Sequence, residues 1–217
     1  MKSIPLALMV VALGAAAAGQ AQKPDHMEHR FTNAEAWAKS FDDPARDAWQ
    51  KPDDVIAALD LKPGMVVADL GAGTGYFSVR LAKSAAKPRV FAVDLEPDMV
   101  AYLTRRAADE QLANMIAVQA TATDSRLPER VDRVLIVDTY HHIGARVDYF
   151  RKLRSYLKPG GRVVLVDFRL DGEMGPPREF RQTPAECEAE LRRAGYRLAK
   201  SFEFLKYQQM LVFEVAR

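Results

Sequence analysis

The stretch Asp69-Leu70-Gly71-Ala72-Gly73-Thr74-Gly75 concentrates residue types that let a backbone turn sharply beneath a bound group. Glycine has no Cβ, so a ligand can approach the chain there without a side chain in the way. A dinucleotide turn reads G-x-G-x-x-G, because its last glycine packs the following helix on the strand while the pyrophosphate sits at the helix N-terminus. Here the glycines alternate at Gly71, Gly73 and Gly75, and Tyr76 stands where that pattern needs its last glycine. Asp69 precedes the first glycine by two residues, and a carboxylate there favours a cationic amine over a pyrophosphate. Asp94 follows about twenty residues on, where an acid in a doubly wound fold accepts hydrogen bonds from both hydroxyls of a ribose. Leu95 and Glu96 come next and are placed to border an adenine. This combination predicts an adenosine ligand that carries an amino-acid group rather than phosphates.

A second constellation is Asp138-Thr139-Tyr140-His141-His142, at the end of an apolar run. Ligands of open parallel sheets bind beyond the carboxyl ends of the strands, so this segment is expected to face the reacting group. Imidazole titrates near neutral pH, which makes His141 and His142 the candidates for proton transfer to or from an acceptor. The structural alternative is that one histidine packs in the interior and the other caps a turn. Adjacent histidines seldom converge on one ion and no further ligands are evident, so no metal site is expected.

These residues need a scaffold, and the sequence alternates strand and helix to supply it. Apolar runs predict strands over Met65–Leu70, Arg89–Asp94, Met115–Ala120, Arg133–Asp138 and Arg162–Phe168. Helical periodicity is expected over Asn33–Ser40, Asp47–Leu59, Tyr76–Ala86, from Pro97 to about Glu110, over Arg146–Leu157 and over Pro184–Ala194. Lys158-Pro159-Gly160-Gly161 reads as a tight turn, and Arg169–Thr183 as a loop with Gly172, Gly175, Pro176 and Pro177. Strands near Arg197–Leu205 and Gln209–Val215 close the chain. Crossover helices imply a parallel sheet, whereas the short link at Lys206-Tyr207-Gln208 permits only an antiparallel hairpin.

With these elements in place, Val66–Leu81 resembles the first motif of the class I S-adenosylmethionine-dependent methyltransferases, and Val90–Met99 their second. Val131–Ile143 is similar to the fourth-strand motif, and Leu153–Asp167 to the fifth. The resemblance runs in order over residues 50–217 and is nearest to small-molecule enzymes related to quinone and sterol methylation. It implies an α/β, Rossmann-like, doubly wound sheet of seven strands in the order 3-2-1-4-5-7-6, with strand 7 antiparallel. It also implies S-adenosyl-L-methionine as cofactor, held by Asp69, Gly71, Gly73, Gly75, Asp94, Leu95, Thr121 and Asp138. One departure concerns the adenine, for which the family often has an acid after the third strand. This chain reads Gln119-Ala120-Thr121-Ala122-Thr123-Asp124, leaving the backbone of Thr121 or Ala122, or the side chain of Asp124. A methyltransferase fold retained only for binding is the main alternative. A nicotinamide-dependent oxidoreductase is disfavoured by the glycine spacing and by Asp69.

Composition narrows the partners. The chain has 217 residues, 48% apolar and 28% charged, with a formal net charge of +2, which marks neither a nucleic-acid binder nor an acid-seeking surface protein. The resemblance to small-molecule enzymes implies a small-molecule acceptor. Cys187 is the one cysteine, so an intrachain disulfide and a thiolate metal cluster are both excluded. At the N-terminus Lys2 precedes an uncharged run, Ile4 to Ala18, with small Gly19 and Ala21 after it. That run is shorter than the roughly 20 residues a spanning helix needs and reads as an export signal over 1–21. The expected division is then a signal peptide (1–21), a helical cap (22–50) and the methyltransferase domain (51–217). The location follows as periplasmic or secreted, with an uncleaved membrane anchor as the alternative. Trp49, Gln50 and Lys51 are placed to cover the cofactor, and the loop with Arg169 and Glu173 to shape the acceptor pocket.

Overall fold

A computed structural model describes residues 25–216. The expected signal segment lies outside the described residues. Among the described residues, no helix is long and apolar enough to cross a membrane. Seven strands form one sheet in the order β3-β2-β1-β4-β5-β7-β6. They are β1 (Val66–Leu70), β2 (Arg89–Asp94), β3 (Met115–Gln119), β4 (Val131–Val137), β5 (Leu157–Phe168), β6 (Tyr196–Phe202) and β7 (Gln208–Val215). β1 pairs parallel with β2 and β4, and β7 pairs antiparallel with both β5 and β6. The expected order, including the antiparallel seventh strand, is therefore the order observed.

The strand runs are continuous rather than alternating because both faces of the sheet are covered. Side chains alternate, so Ala68, Phe91, Val134 and Ile136 enter one core with Phe150 and Leu191. Their neighbours Val67, Leu135 and Val164 enter the other, with Val55, Leu81 and Leu103. The covering helices are α3 (Pro52–Ala58), α4 (Tyr76–Lys83) and α5 (Pro97–Asp109) on that second face, and α6 (Arg146–Leu153) and α7 (Pro184–Arg193) on the first. α7 shows its boundaries in sequence: Thr183 and Glu186 form a reciprocal capping box, Pro184 takes the first turn, and Gly195 follows at φ 90°.

Three expectations need correction. The helix expected over Asp47–Leu59 is two, α2 (Arg46–Gln50) and α3, because Pro52 disfavours a right-handed helical residue before it and Lys51 turns left-handed at φ 46°. The helix expected to reach Leu157 ends at Leu153 and passes through a tighter turn, Arg154–Tyr156. Lys158–Gly161 is no plain turn between helix and strand. β5 already pairs at Leu157 with Val131, and the next partners are Arg162 and Arg133, so the Pro-Gly-Gly residues bulge out within the strand.

Candidate functional site

The glycine turn joins β1 to α4 at the carboxyl end of the sheet. Gly71, Gly73 and Gly75 all have positive φ (75°, 56° and 96°). Gly71 and Ala72 both donate to the Val93 carbonyl, at 2.8 and 3.0 Å, which pulls the turn against β2. A Cβ on Gly71 would fall inside the Thr139 side chain, and one on Gly75 would meet Leu103 at 2.9 Å. These two glycines are therefore packing requirements as well as conformational ones. Gly73 has more room, with Phe41 at 3.1 Å from a built Cβ. Its N–H donates to Asp94 Oδ2 at 2.8 Å.

Four carboxylates line this edge, one from each of four adjacent strands: Asp94 on β2, Asp69 on β1, Asp138 just after β4 and Asp167 near the end of β5. Asp69 is buried and accepts from Ser78 Oγ at 2.6 Å, so it ties the turn to α4 instead of standing open to a ligand. Asp94 accepts from the backbone of Gly73 and Glu96, one bond on each oxygen. Each oxygen keeps a second lone pair for a ribose hydroxyl. Asp138 accepts from Gln50 Nε2 at 2.8 Å and from Gln208, with Arg46 at 3.7 Å, and its own backbone is left-handed at φ 52°. Burial pushes Asp69, Asp94 and Asp138 up to about 6. Mutual repulsion adds to this, from Asp94 on Asp69 and from Asp167 on Asp138. A row of desolvated carboxylates that repel one another fits a ligand bearing both an ammonium and a sulfonium charge.

His141 is buried, and its Nδ1 lies 2.9 and 3.0 Å from the two oxygens of Asp167, which also accept its backbone N–H at 3.2 Å. A carboxylate partner assigns the proton to Nδ1 and leaves Nε2 to exchange protons. Desolvation pulls the His141 pKa down, but Asp167, helped by Asp138, outweighs it and the net shift is upward. His142 behaves oppositely. Burial, reinforced by His141, lowers it to about 4, and its Nδ1 bonds the Met27 carbonyl at 2.8 Å.

That carbonyl belongs to a strap, residues 25–33, which crosses the same edge of the sheet. Asp25 accepts from the Ala145 N–H at 2.9 Å, and the Met27 N–H donates to the His141 carbonyl at 2.8 Å. Farther along, Arg30 pairs with buried Glu96 at 2.7 Å, and the Asn33 N–H donates to Asp98 at 2.8 Å. Asn33 then caps α1 (Ala34–Phe41), whose Trp37 and Phe41 pack with Phe31 and place Phe41 against Gly73. The strap, α1 and α2 thus roof the glycine turn.

The structure brings Asp69, Gly71, Gly73, Gly75, Asp94, Asp138 and His141 to one edge. Leu95 is half exposed beside Asp94. Thr121 closes a small bridge with Asp124, and its N–H is spent on the Asp124 carbonyl. The Asp124 carboxylate is engaged by Lys152 at 2.7 Å and Tyr156 at 2.9 Å. Trp49 stacks toward Phe168 and Tyr207, while Gln50 reaches Asp138. Cys187 is buried in α7. Sequence reasoning missed Asp167, Arg46, Gln208 and the strap. Asp167 had a usable signal, because like Asp69 and Asp94 it is an acid ending an apolar strand.

A family model described as "Methyltransferase domain" matches residues 61–209. A phosphoethanolamine N-methyltransferase of Triticum aestivum is 32% identical over 126 residues, 58% of this chain and 24% of that protein. A tRNA U34 carboxymethyltransferase of Azotobacter vinelandii is 26% identical over 68% of this chain and 49% of that protein. The chain therefore spans only a quarter to a half of these relatives. The crystal structure of a SAM-dependent methyltransferase from Aquifex aeolicus superposes with a TM-score of 0.76 at 26% identity, covering 83% of this chain and 98% of that one. With its glycine turn, its row of acids and this sheet order, the chain belongs to the methyltransferase-domain family and has the fold of the S-adenosylmethionine-dependent enzymes.

Proposed function

We propose that the protein transfers a methyl group from S-adenosylmethionine to a small-molecule acceptor that gives up a proton in the process. The observation that supports this best is the His141–Asp167 pair beside a carboxylate row suited to a cationic donor. The donor supplies a methyl group already activated on a positively charged sulfur. What the chain has to do is bind, align and keep water out. Asp94 takes the ribose hydroxyls, and the turn at Gly71–Gly75 lets the amino-acid end lie close to the backbone. The roof of Phe31, Trp37 and Phe41 excludes water. His141, held by Asp167, accepts the acceptor's proton at Nε2. His142, depressed to about 4 and fixed by Met27, stays neutral and positions the strap.

The acid row also supports a small acceptor over a nucleic acid, because a phosphate backbone gains affinity from cations rather than carboxylates. We further infer that residues 1–21 direct export to the periplasm or beyond, that 22–50 act as a cap, and that 51–217 carry the transfer. The alternative of an uncleaved anchor is separated from this by the mass of the protein recovered from cell fractions. The function itself is tested with methyl-labelled donor and a panel of amines, phenols and carbon acids. Labelled product from wild type, reduced at least a hundredfold in His141→Asn with donor affinity retained, is the result expected. Equal turnover in the variant would remove His141 from the mechanism.

A further inference from the structure

The opposite edge of the sheet carries a second polar feature that methyl transfer does not use. β4 and β5 each carry an arginine in their first half, and the parallel register sets Arg133 beside Arg162 on one face. Like charges directly opposite in a sheet are destabilising. The pair borders a cavity of about 330 Å³ between the end of α3 and β5, β6 and β7. Its floor is apolar (Val164, Val212 and Phe202), and Lys200 adds a third cation at the rim.

The carboxylates nearby also have cation partners of their own, although Asp60 lines the cavity itself. Asp60 pairs with Lys62 at 2.5 Å, and Asp132 with Lys158 at 2.7 Å. Glu214 is held by Arg197 and lies 3.8 Å from Arg162. Arg133 is buried and spends its Nε on the Leu59 carbonyl, capping the end of α3. Desolvation, and then the neighbouring Arg162 charge, lower its pKa. Arg162 Nε makes no hydrogen bond and is the atom that faces Glu214 Oε2 at 3.8 Å, an ion-pair contact too long for one. Lys200 lays its ammonium over the Phe202 ring, 4.2 Å from the centroid. Three cations thus border one cavity, against the single carboxylate, Asp60, in its lining.

We propose that this cavity binds a small anion, a phosphate monoester or carboxylate with a short apolar body, at a site separate from the methyl-transfer edge. Arg162 and Lys200 would take the charged group, Arg133 would hold the floor of the charge, and Val212 and Phe202 would take the apolar part. An anion between Arg133 and Arg162 would offset their repulsion beyond what Asp132 and Asp60 already do.

The test is calorimetric titration of the protein with inorganic phosphate and with hexyl phosphate, in wild type, Arg162→Gln and Lys200→Gln. Wild type should bind both saturably, hexyl phosphate several-fold more tightly because of the apolar floor. Arg162→Gln should lose at least tenfold in affinity for both while binding S-adenosylhomocysteine as wild type does. That variant should also melt no lower than wild type in anion-free buffer, since it removes a like-charge contact. Absence of binding, or affinity unchanged by Arg162→Gln, overturns the proposal. So does binding to anionic vesicles with neither soluble anion bound, which would make the patch a membrane-facing surface.

Discussion

At the residue scale, the site depends on carboxylates that differ in partner more than in type. Asp94 keeps lone pairs for a ligand, whereas Asp69 is consumed by Ser78. Charged hydrogen bonds contribute about 1.5–3 kcal/mol each, so Asp94→Asn should weaken S-adenosylhomocysteine binding by tens- to a few hundred-fold in calorimetry. Asp69→Asn should lower thermal stability more than it lowers affinity. Asp167 acts through His141, so its removal has a signature of its own. Without the carboxylate the imidazolium is less stabilised and the His141 pKa falls. The acid limb of the pH–rate profile should therefore move to lower pH in Asp167→Asn, with a reduced plateau. A limb that stays in place would mean Asp167 is structural only. Asp69, Asp94, Asp138 and the His141-His142 pair were legible from sequence because each stands at the end of an apolar run. The partners of Asp138 were not, since Gln50 and Gln208 are far along the chain and become its neighbours only in the fold.

At the element scale, the sheet was readable because its strands are continuous apolar runs separated by crossover helices, and because the link before β7 is too short for a parallel return. What escaped the sequence was local competition. Pro52 splits a run whose periodicity looks continuous, and the Pro159-Gly160-Gly161 bulge sits inside pairing rather than between elements. The strap escaped altogether: residues 25–33 have no periodicity, and their order comes from partners far along the chain, Glu96, Asp98, His141 and Ala145. Two predictions belong to this scale. Gly71→Ala forces a Cβ into Thr139 at φ 75°, so it should destabilise by about 2–4 kcal/mol by denaturant titration, and pairing it with Thr139→Ser should recover only part of this. Arg30→Ala releases one end of the strap and leaves buried Glu96 without its guanidinium, so it should lower the melting temperature while speeding donor dissociation in stopped flow.

At the scale of the whole molecule, the carboxyl edge of the sheet gathers a row of acids, on a chain whose net charge is +2. The central claim is that the acidic edge recognises a cationic donor. Asp69, Asp94 and Asp138 have pKa values raised to about 6, so they are charged at pH 7.5 and substantially protonated at pH 5. A cation binds the charged form, so affinity falls as pH drops through 6, by up to tenfold per pH unit for each carboxylate that must ionise. S-adenosylhomocysteine lacks the sulfonium charge and should lose less. The most direct measurement is therefore calorimetric titration of both compounds from pH 7.5 to 5. The account predicts binding of both at pH 7.5, and a steeper loss for S-adenosylmethionine as pH falls. Failure of a folded protein to bind either compound at any pH would contradict it, and would leave a methyltransferase fold that serves only in binding something else.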